Sequence, residues 1–216
     1  MKKIAVIDYG MGNLRSVAKA LEHAAGKSAR VTVTSSHQDV TQADHVVFPG
    51  QGAARDCMHQ LEHHSLLEVV NEAWLSKPFL GICMGLQVLF DFSEENGGTA
   101  CLGLIPGHVE AFGCNMRNSH TGTSLKVPHM GWNLVKQQQP HPLWQGIDDG
   151  ARFYFVHSYY AASKSNDVVC GVTEYGISFT SAIAINNAFA CQFHPEKSSK
   201  DGLRLLKNFI DWDGGL

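Results

Sequence analysis

The sequence predicts a three-layer α/β domain, with a mixed but mainly parallel central sheet and helices on both of its faces. In the first half, short apolar runs of strand length alternate with segments of helical periodicity. In the second half, glycine and proline separate short β-like segments. With 216 residues, 44% of them hydrophobic, the chain can bury one sizeable core. We therefore expect a single domain over residues 1–216, with no internal repeat and no interdomain linker.

Composition and charge argue against several classes of protein. The formal net charge is −3 and the 17 lysines and arginines are scattered, so we expect no nucleic-acid partner. The first apolar run ends at Asp8, too early for a signal peptide, and no long apolar span occurs elsewhere. We therefore expect a cytoplasmic protein with no membrane partner. The six cysteines form no Cys-x-x-Cys pair, which favours free thiols over disulfides or structural zinc.

The first half of the chain alternates predicted strands and helices. After the first strand, Asn13 can cap a helix that turns Val17 and Leu21 inward. A second apolar helix face, at residues 66–74, leads into the fourth strand. The predicted strands are residues 4–7, 31–34, 45–48 and 79–82.

The second half is predicted to be β-rich and to close with one helix. Residues 113–124 are polar and contain glycine, so we expect a mobile loop there. Asn186 and Asn187 predict a hairpin turn, and Ser199 or Asp201 can cap the last helix. The predicted strands are residues 109–112, 126–127, 152–160, 168–172, 177–180, 182–185 and 189–193.

A cysteine stands between the fourth predicted strand and the helix that follows. The motif is Gly-Ile-Cys-Met-Gly at residues 81–85, and the spacing of Leu86 and Phe90 predicts the inner face of that helix. In a strained strand-turn-helix elbow, glycines permit the tight turn that lifts a nucleophile above the sheet edge. The helix dipole would favour a thiolate at Cys83, and the N–H of Met84 would point to a developing oxyanion. The alternative is that Cys83 is a small buried apolar residue.

A histidine and a carboxylate near the end of the chain supply the partners that a cysteine nucleophile needs. Pro195 favours an extended conformation for His194, and side chains two apart on an extended chain point to the same face. His194 and Glu196 should therefore be neighbours at a strand end, where open α/β sheets place their sites. Glu196 would hold the imidazole in the tautomer that presents a nitrogen to Cys83. Together with the elbow, this pair predicts a Cys-His-Glu hydrolase.

The loop after the third strand, Pro-Gly-Gln-Gly at residues 49–52, can bring backbone close to this site. Its glycines permit a close approach and offer amide donors, although a plain tight turn would use the same residues.

The turn at residues 9–15 is similar to a dinucleotide-binding loop. Arg15 stands where the third glycine of Gly-x-Gly-x-x-Gly is required, so we interpret the turn as a close-packed one at a functional edge.

His59 and His63, with Glu62 beside them, match the pattern of some zinc peptidases. The segment is otherwise polar and His64 follows directly, so a solvated helix face explains it more simply.

Taken together, these motifs resemble the triad-type (class I) glutamine amidotransferases, which carry Gly-x-Cys-x-Gly early and His-Pro-Glu late. The resemblance spans nearly the whole chain, from Ile4 to the last helix. The stretches that carry it are residues 7–14, 48–52, 81–87, 128–133, 154–159 and 192–198.

This resemblance implies a three-layer class I glutamine amidotransferase-like fold and hydrolysis of L-glutamine to L-glutamate and ammonia. The closer resemblance to one member of this family, carried by residues 129–133 and 155–159, further implies a heterodimer in which the ammonia passes to a separate cyclase subunit of (β/α)₈ fold. That partner would make imidazole glycerol phosphate and the purine precursor AICAR in histidine biosynthesis. The resemblance implies no metal and no cofactor.

The resemblance also assigns roles to individual residues. Cys83 matches the nucleophile, His194 the general acid/base and Glu196 its orienting carboxylate. The other matches are the oxyanion-hole residues Gly50, Gln51, Gly52 and Met84, the glutamine-binding residues Gln87, Ser158 and Tyr159, and the partner-interface residues Tyr9, Met11, Asn13 and Lys197.

Two features depart from the pattern of this family. Gln51 stands where many members carry a small aliphatic residue, in a loop whose peptide must reorient before the oxyanion hole forms. The resemblance therefore leaves open the activity of the chain without its partner. Residues 113–124 have no counterpart and are interpreted as a local insertion.

Three alternative functions remain at this stage. One is a self-sufficient cysteine amidohydrolase of the same fold, which the resemblance at residues 9–14 and 129–133 disfavours. Another is a non-catalytic binding subunit, which would have no need of an intact triad. The third is a zinc peptidase, which a purified protein without stoichiometric zinc would exclude.

Overall fold

A computed structural model describes residues 1–118 and 121–215 of the chain. The strands are β1 (Lys2–Ile7), β2 (Ala29–Thr34), β3 (His45–Gly50), β4 (Phe79–Cys83), β5 (Phe90–Ser93), β6 (Thr99–Ala100), β7 (Ile105–Ala111), β8 (His129–Leu134), β9 (Lys136–Gln137), β10 (Arg152–His157), β11 (Tyr159–Ser163), β12 (Val169–Glu174), β13 (Ser178–Ile185) and β14 (Ala188–Cys191). The α-helices are α1 (Leu14–Ala25), α2 (His37–Gln42), α3 (Ala54–His63), α4 (Leu67–Ser76), α5 (Met84–Gln87) and α6 (Ser199–Asp211). None of the helices described is long and apolar enough to cross a membrane.

The central sheet is mixed, with its parallel part concentrated at one end. Strands β2, β1, β3, β4 and β14 pair in that order and all run parallel. Beyond β14 the order continues β13, β11, β7, β5 and β6, in mostly antiparallel pairs. The pairing changes from parallel to antiparallel at β14 because the tight turn at Asn186 and Asn187, which connects β13 to β14, can only join antiparallel strands. The expected mixed sheet is confirmed, and its second half is the antiparallel part.

Helices cover both faces of the parallel strands, as the three-layer prediction requires. Along β1, Ile4 and Val6 pack in one core with side chains of α1 and α6. Ala5 and Ile7, which point the other way, pack in a second core with α2, α3 and α4. The alternation places one core on each side of the sheet, with the carboxyl ends of the strands at one edge between them.

The aromatic run at residues 152–160 forms two strands instead of the single strand predicted. Strand β10 pairs with β8 in a separate two-stranded sheet, and β11 joins the central sheet beside β7. The break falls at Ser158, which therefore lies between the two sheets. This arrangement brings β10 over the carboxyl end of the parallel strands.

Several local predictions are corrected by the structure. The helix after Cys83 is a single turn, and Phe90 begins a strand, because β7 is available as a pairing partner. Asn13 occupies the start of α1 without a side-chain cap hydrogen bond. The residue at the start of helix α6 is Ser198, and not the predicted cap Ser199 or Asp201. The hydroxyl of Ser198 donates to the carbonyl of His194 and does not cap the helix.

Residues 126–127, predicted as a strand, lie outside the regular elements; β8 begins at His129. Within the predicted loop 113–124, residues 119 and 120 lie outside the described part of the chain. Arg117 and Ser124 form an isolated antiparallel bridge, and Met116 is buried in the core.

Candidate active site

Cys83 ends β4 in a strained backbone conformation that turns directly into α5. Its φ of 55° and ψ of −105° are rare for a residue with a side chain, and such strain is typical of functional turns. The flanking glycines are required by packing. A Cβ on Gly85 would lie 1.8 Å from the carbonyl oxygen of Phe48, and one on Gly81 would lie 2.6 Å from the oxygen of Gly85. The predicted elbow is therefore present, and its sharpness depends on both glycines.

His194 and Glu196 form a buried pair beside the elbow. Strand β14 runs parallel to β4, with Cys191 opposite Ile82, so both chains leave the sheet at the same edge. His194 is extended before Pro195, and its Nδ1 lies 2.9 Å from Oε1 of Glu196. The two side chains are only 2% and 1% exposed. The backbone N–H of His194 donates to the carbonyl of Tyr154, which anchors the histidine to β10.

The charge state of His194 is set by competing effects. Burial disfavours the charged ring, but the side chain of Cys83 and then Glu196 outweigh burial and raise the pKa of His194 to about 9. With Nδ1 occupied by Glu196, the other ring nitrogen, Nε2, is the one available to Cys83. Nε2 is buried and forms no well-aligned hydrogen bond within the described residues. An imidazolium held in this way next to a thiol favours the thiolate form.

The glycine loop after β3 lies against the elbow, as predicted. Gly50 is directly opposite Cys83 in the parallel register of β3 and β4. A Cβ there would lie 2.4 Å from the hydroxyl of Tyr9 and 2.6 Å from Cβ of Met84, so only glycine fits. The Tyr9 hydroxyl in turn donates to the carbonyl of Pro49 at 2.9 Å. Tyr9 thereby holds the loop beside Cys83.

A cleft of about 440 Å³ opens over the cysteine. Most of the residues predicted for the site contribute to its walls: Gln51, Gly52, Cys83, Met84, Gln87, Ser158, Tyr159, His194 and Lys197. Glu196 lies behind His194, and the amide of Gln87 donates to the carbonyl of Tyr159 at 2.9 Å. The structure therefore brings the predicted nucleophile, base and substrate-binding residues into one cavity.

The predicted interface residues occupy different environments. Tyr9 is fully buried, so it can influence a partner only through the loop that it anchors. Met11 packs close to Gly52, and Asn13 is half-buried at the start of α1. The Nζ of Lys197 lies 6.0 Å from the centroid of the Tyr154 ring, at the rim of the cleft.

Three further residues at the site have no role predicted from the sequence. His157 and Glu95 line the cleft, and Gln192 donates to the sulfur of Cys83. His157 and Gln192 lie inside the stretches 154–159 and 192–198, which carry the family resemblance. Their position in these stretches was the sequence feature that could have indicated a role. Glu95 begins a short 3-10 helix after β5, and nothing in its sequence context marks it.

An exposed apolar stripe was also missed. Met130, Trp132 and Leu134 are 61%, 45% and 49% exposed on the outer face of β8. Their alternation with buried or half-buried neighbours is visible in the sequence as a period of two. Trp132 packs edge-on to Tyr154, the aromatic ring over which Lys197 lies, so the stripe adjoins the cleft.

The zinc motif is not assembled into a metal site. His59 and His63 lie on the exposed face of α3, with their rings stacked 6.4 Å apart. Within residues 1–118 and 121–215, no group of three or more histidine, cysteine, aspartate or glutamate side chains could hold a metal ion.

The fold and the site define a class I glutamine amidotransferase. The family model for glutamine amidotransferase class-I matches residues 5–212, and the chain belongs to this family. Solved structures under 25% identical share the fold. The glutaminase domain of Trypanosoma brucei CTPS with bound acivicin has a TM-score of 0.65 at 16% identity, covering 99% of this chain and 95% of that one. PurLQS from Thermotoga maritima has a TM-score of 0.68 at 16% identity, covering 98% and 99%.

Several curated relatives share one name, imidazole glycerol phosphate synthase subunit HisH. The relative from Thiobacillus denitrificans is 58% identical over 212 residues, 98% of this chain and 92% of its own length. The relative from Pseudomonas syringae pv. syringae is 52% identical over 214 residues, 99% of each chain.

Proposed function

We propose that this chain hydrolyses L-glutamine to L-glutamate and ammonia, with Cys83 as nucleophile and His194 and Glu196 as its acid/base pair. We further propose that the ammonia passes to the separate cyclase subunit of imidazole glycerol phosphate synthase, which makes imidazole glycerol phosphate and AICAR in the cytosol. One observation carries the proposal. A strained cysteine elbow adjoins a buried His-Glu pair in a cleft of substrate size, in a chain more than half identical to HisH subunits.

The first chemical step follows from the charges in the site. With the pKa of His194 at about 9, the ring is protonated at neutral pH and the adjacent sulfur is favoured as a thiolate. The thiolate attacks the side-chain carbonyl of glutamine. We expect the negative charge that develops on the carbonyl oxygen to be stabilised by the first amide of α5, at Met84, and by the amides of the loop at Gln51 and Gly52, which line the cleft.

The remaining steps reuse the same histidine. The tetrahedral intermediate collapses as His194 donates its proton to the departing ammonia, which leaves a γ-glutamyl thioester on Cys83. Neutral His194 then takes a proton from water, which attacks the thioester and releases glutamate. Glu196 holds Nδ1 of His194, so that Nε2 faces the reacting atoms throughout.

The face around the cleft supports a protein partner. The apolar stripe of Met130, Trp132 and Leu134 adjoins Tyr154 and Lys197 at the cleft rim. An exposed apolar group beside a polar rim is typical of a docking surface. We assign this surface to the cyclase subunit, because ammonia must leave the cleft protected from solvent to reach a second active site.

The test is glutamate release from L-glutamine by the complex with the cyclase subunit, for the wild type, Cys83→Ala and Cys114→Ala. Cys114 is exposed and does not line the cleft, so its variant controls for loss of a thiol. Cys83→Ala should abolish turnover while binding the cyclase with wild-type affinity, and Cys114→Ala should retain full activity. Turnover retained by Cys83→Ala would remove Cys83 from its role.

A further inference from the structure

Gln192 is a buried polar residue whose side chain reaches two parts of the site at once. It lies just beyond β14, with no exposed surface, between the buried Cys191 and Phe193. Its Nε2 lies 3.6 Å from Sγ of Cys83, and its Oε1 lies 3.0 Å from Nε2 of Gln87. We propose that Gln192 is a further catalytic residue, which stabilises the Cys83 thiolate by hydrogen bonding and fixes the amide of Gln87; this role rests on the proposed glutaminase function.

The direction of the hydrogen bonds is determined by one backbone group. The carbonyl of Tyr159 can only accept, and it lies 2.9 Å from the side chain of Gln87, so the nitrogen of Gln87 must face it. The second hydrogen of that nitrogen then requires an acceptor on Gln192, which is Oε1. The nitrogen of Gln192 is consequently turned toward Cys83. A flipped Gln192 would place two donors against each other.

A donor in this position acts on the charged form of the nucleophile. An N–H that hydrogen-bonds to a thiolate stabilises it relative to the thiol, and the effect is larger where water is excluded. Gln192 cannot itself carry a proton in this reaction, so it complements His194, which supplies the charge and the proton. No bond to Gln192 forms or breaks during the reaction.

A purely structural role would not require an amide at this point. Glutamine is costly to bury without partners, and its neighbours Cys191 and Phe193 are apolar. The backbone of Gln192 is already held by its N–H, which donates to the carbonyl of Ser181 at 2.9 Å. The side-chain amide is therefore explained by its two contacts, one with Sγ of Cys83 and one with the amide of Gln87.

The role is tested by the alkylation of Cys83 with iodoacetamide across a range of pH, followed by mass spectrometry of the Cys83 peptide. This readout needs neither glutamine nor a partner. In Gln192→Met, which keeps the length of the side chain but has no donor, the midpoint of the pH–rate profile should move up by about one unit. Alkylation below the midpoint should then be about tenfold slower. Gln192→Glu should shift the midpoint further, because its carboxylate repels the thiolate.

A matched control is Gln137→Met, since the half-buried amide of Gln137 donates to the carbonyl of Ile147 outside the cleft. This variant should alkylate as the wild type does. A midpoint in Gln192→Met that coincides with that of Gln137→Met would overturn the proposal.

Glutaminase kinetics of the complex separate the two contacts of Gln192. Gln192→Glu keeps the acceptor for Gln87, so it should lower kcat with little change in KM, whereas Gln192→Met should lower kcat and raise KM. Equal KM values for these two variants would contradict the role in fixing Gln87. If the wild type shows no glutaminase activity while the alkylation shift is present, the proposed function fails and the donor role of Gln192 stands.

Discussion

The strained conformation of Cys83 is maintained by its two flanking glycines. Both neighbours of the elbow, β3 and β14, approach so closely that a methyl group cannot be inserted. The nucleophile is thus positioned by backbone packing, and the sulfur needs little side-chain freedom to reach its place. The position of the nucleophile therefore depends on two glycines that take no part in the reaction themselves.

Gly85→Ala should test this dependence. Its Cβ would overlap the carbonyl oxygen of Phe48, so β3 and α5 must separate, and the free energy of unfolding should fall by about 1–3 kcal/mol. Gly113→Ala is the control, because its nearest neighbour would be Cγ of Met116 at 3.8 Å, an ordinary contact. Urea unfolding measures both. Equal stabilities of the two variants would show that the elbow tolerates a side chain.

At the scale of elements, the two-stranded sheet of β8 and β10 forms a wall of the cleft through a chain of neutral histidines. His129 and His157 are opposite each other in the strand register, and Nδ1 of His129 lies 2.9 Å from Nε2 of His157. Nδ1 of His157 donates to the carbonyl of Tyr159, and Asn133 donates to Nε2 of His129. Each ring therefore has one donor and one acceptor nitrogen in use. Burial lowers the pKa of His129 to about 4 and that of His157 to about 3.

These two histidines should destabilise the chain in acid. Between their folded pKa values and the ordinary value of 6.5, the unfolded state binds more protons than the folded state, so stability falls as pH falls below about 6.5. Each histidine contributes a slope of up to about 1.4 kcal/mol per pH unit. In His129→Gln, urea unfolding from neutral to mildly acidic pH should show a shallower slope than in the wild type.

His63→Gln serves as the control for this experiment, since His63 is exposed on α3. It should leave the slope unchanged. An unchanged slope in His129→Gln as well would mean that His129 is not held neutral by the fold.

At the scale of the whole molecule, the site lies where parallel strands end and a second sheet closes over them. The second half of the chain supplies β10, β11 and β14, so both halves of the chain contribute to one cleft. The exposed stripe on β8 contacts Tyr154, over whose ring the cleft residue Lys197 lies, which fits the proposed docking of a partner beside the opening.

Trp132→Ala should weaken binding of the cyclase subunit by about tenfold or more, because a large aromatic residue in a docking surface typically contributes over 1 kcal/mol. Leu75→Ala provides the comparison, as Leu75 is 74% exposed on α4 and outside the cleft. Isothermal titration calorimetry measures both affinities. If the two variants bind equally well, the stripe is not the docking surface.

The sequence was sufficient to predict those parts of the site that depend on local rules. The Gly-x-Cys-x-Gly turn and the extended His-Pro-Glu segment are set by steric limits within a few residues, so their pairing could be expected before the fold was seen. The break at Ser158 could not, because the alternation of Phe153, Phe155 and His157 continues unchanged into β11. The sheet that each part of the run at residues 152–160 joins is decided by strands distant in the sequence, since β10 pairs with β8 and β11 pairs with β7. The role of Gln192 was hidden for the same reason, since it depends on contacts with Cys83 and Gln87 far away in the chain.

The most direct measurement is the rate of glutamate release from L-glutamine, first by the purified chain alone and then with the cyclase subunit and its substrate. We expect strong stimulation by the partner, with the stimulated rate lost in Cys83→Ala. Full activity of the chain alone would contradict gating by the cyclase and favour an independent cysteine amidohydrolase. No activity under either condition would contradict the glutaminase assignment itself.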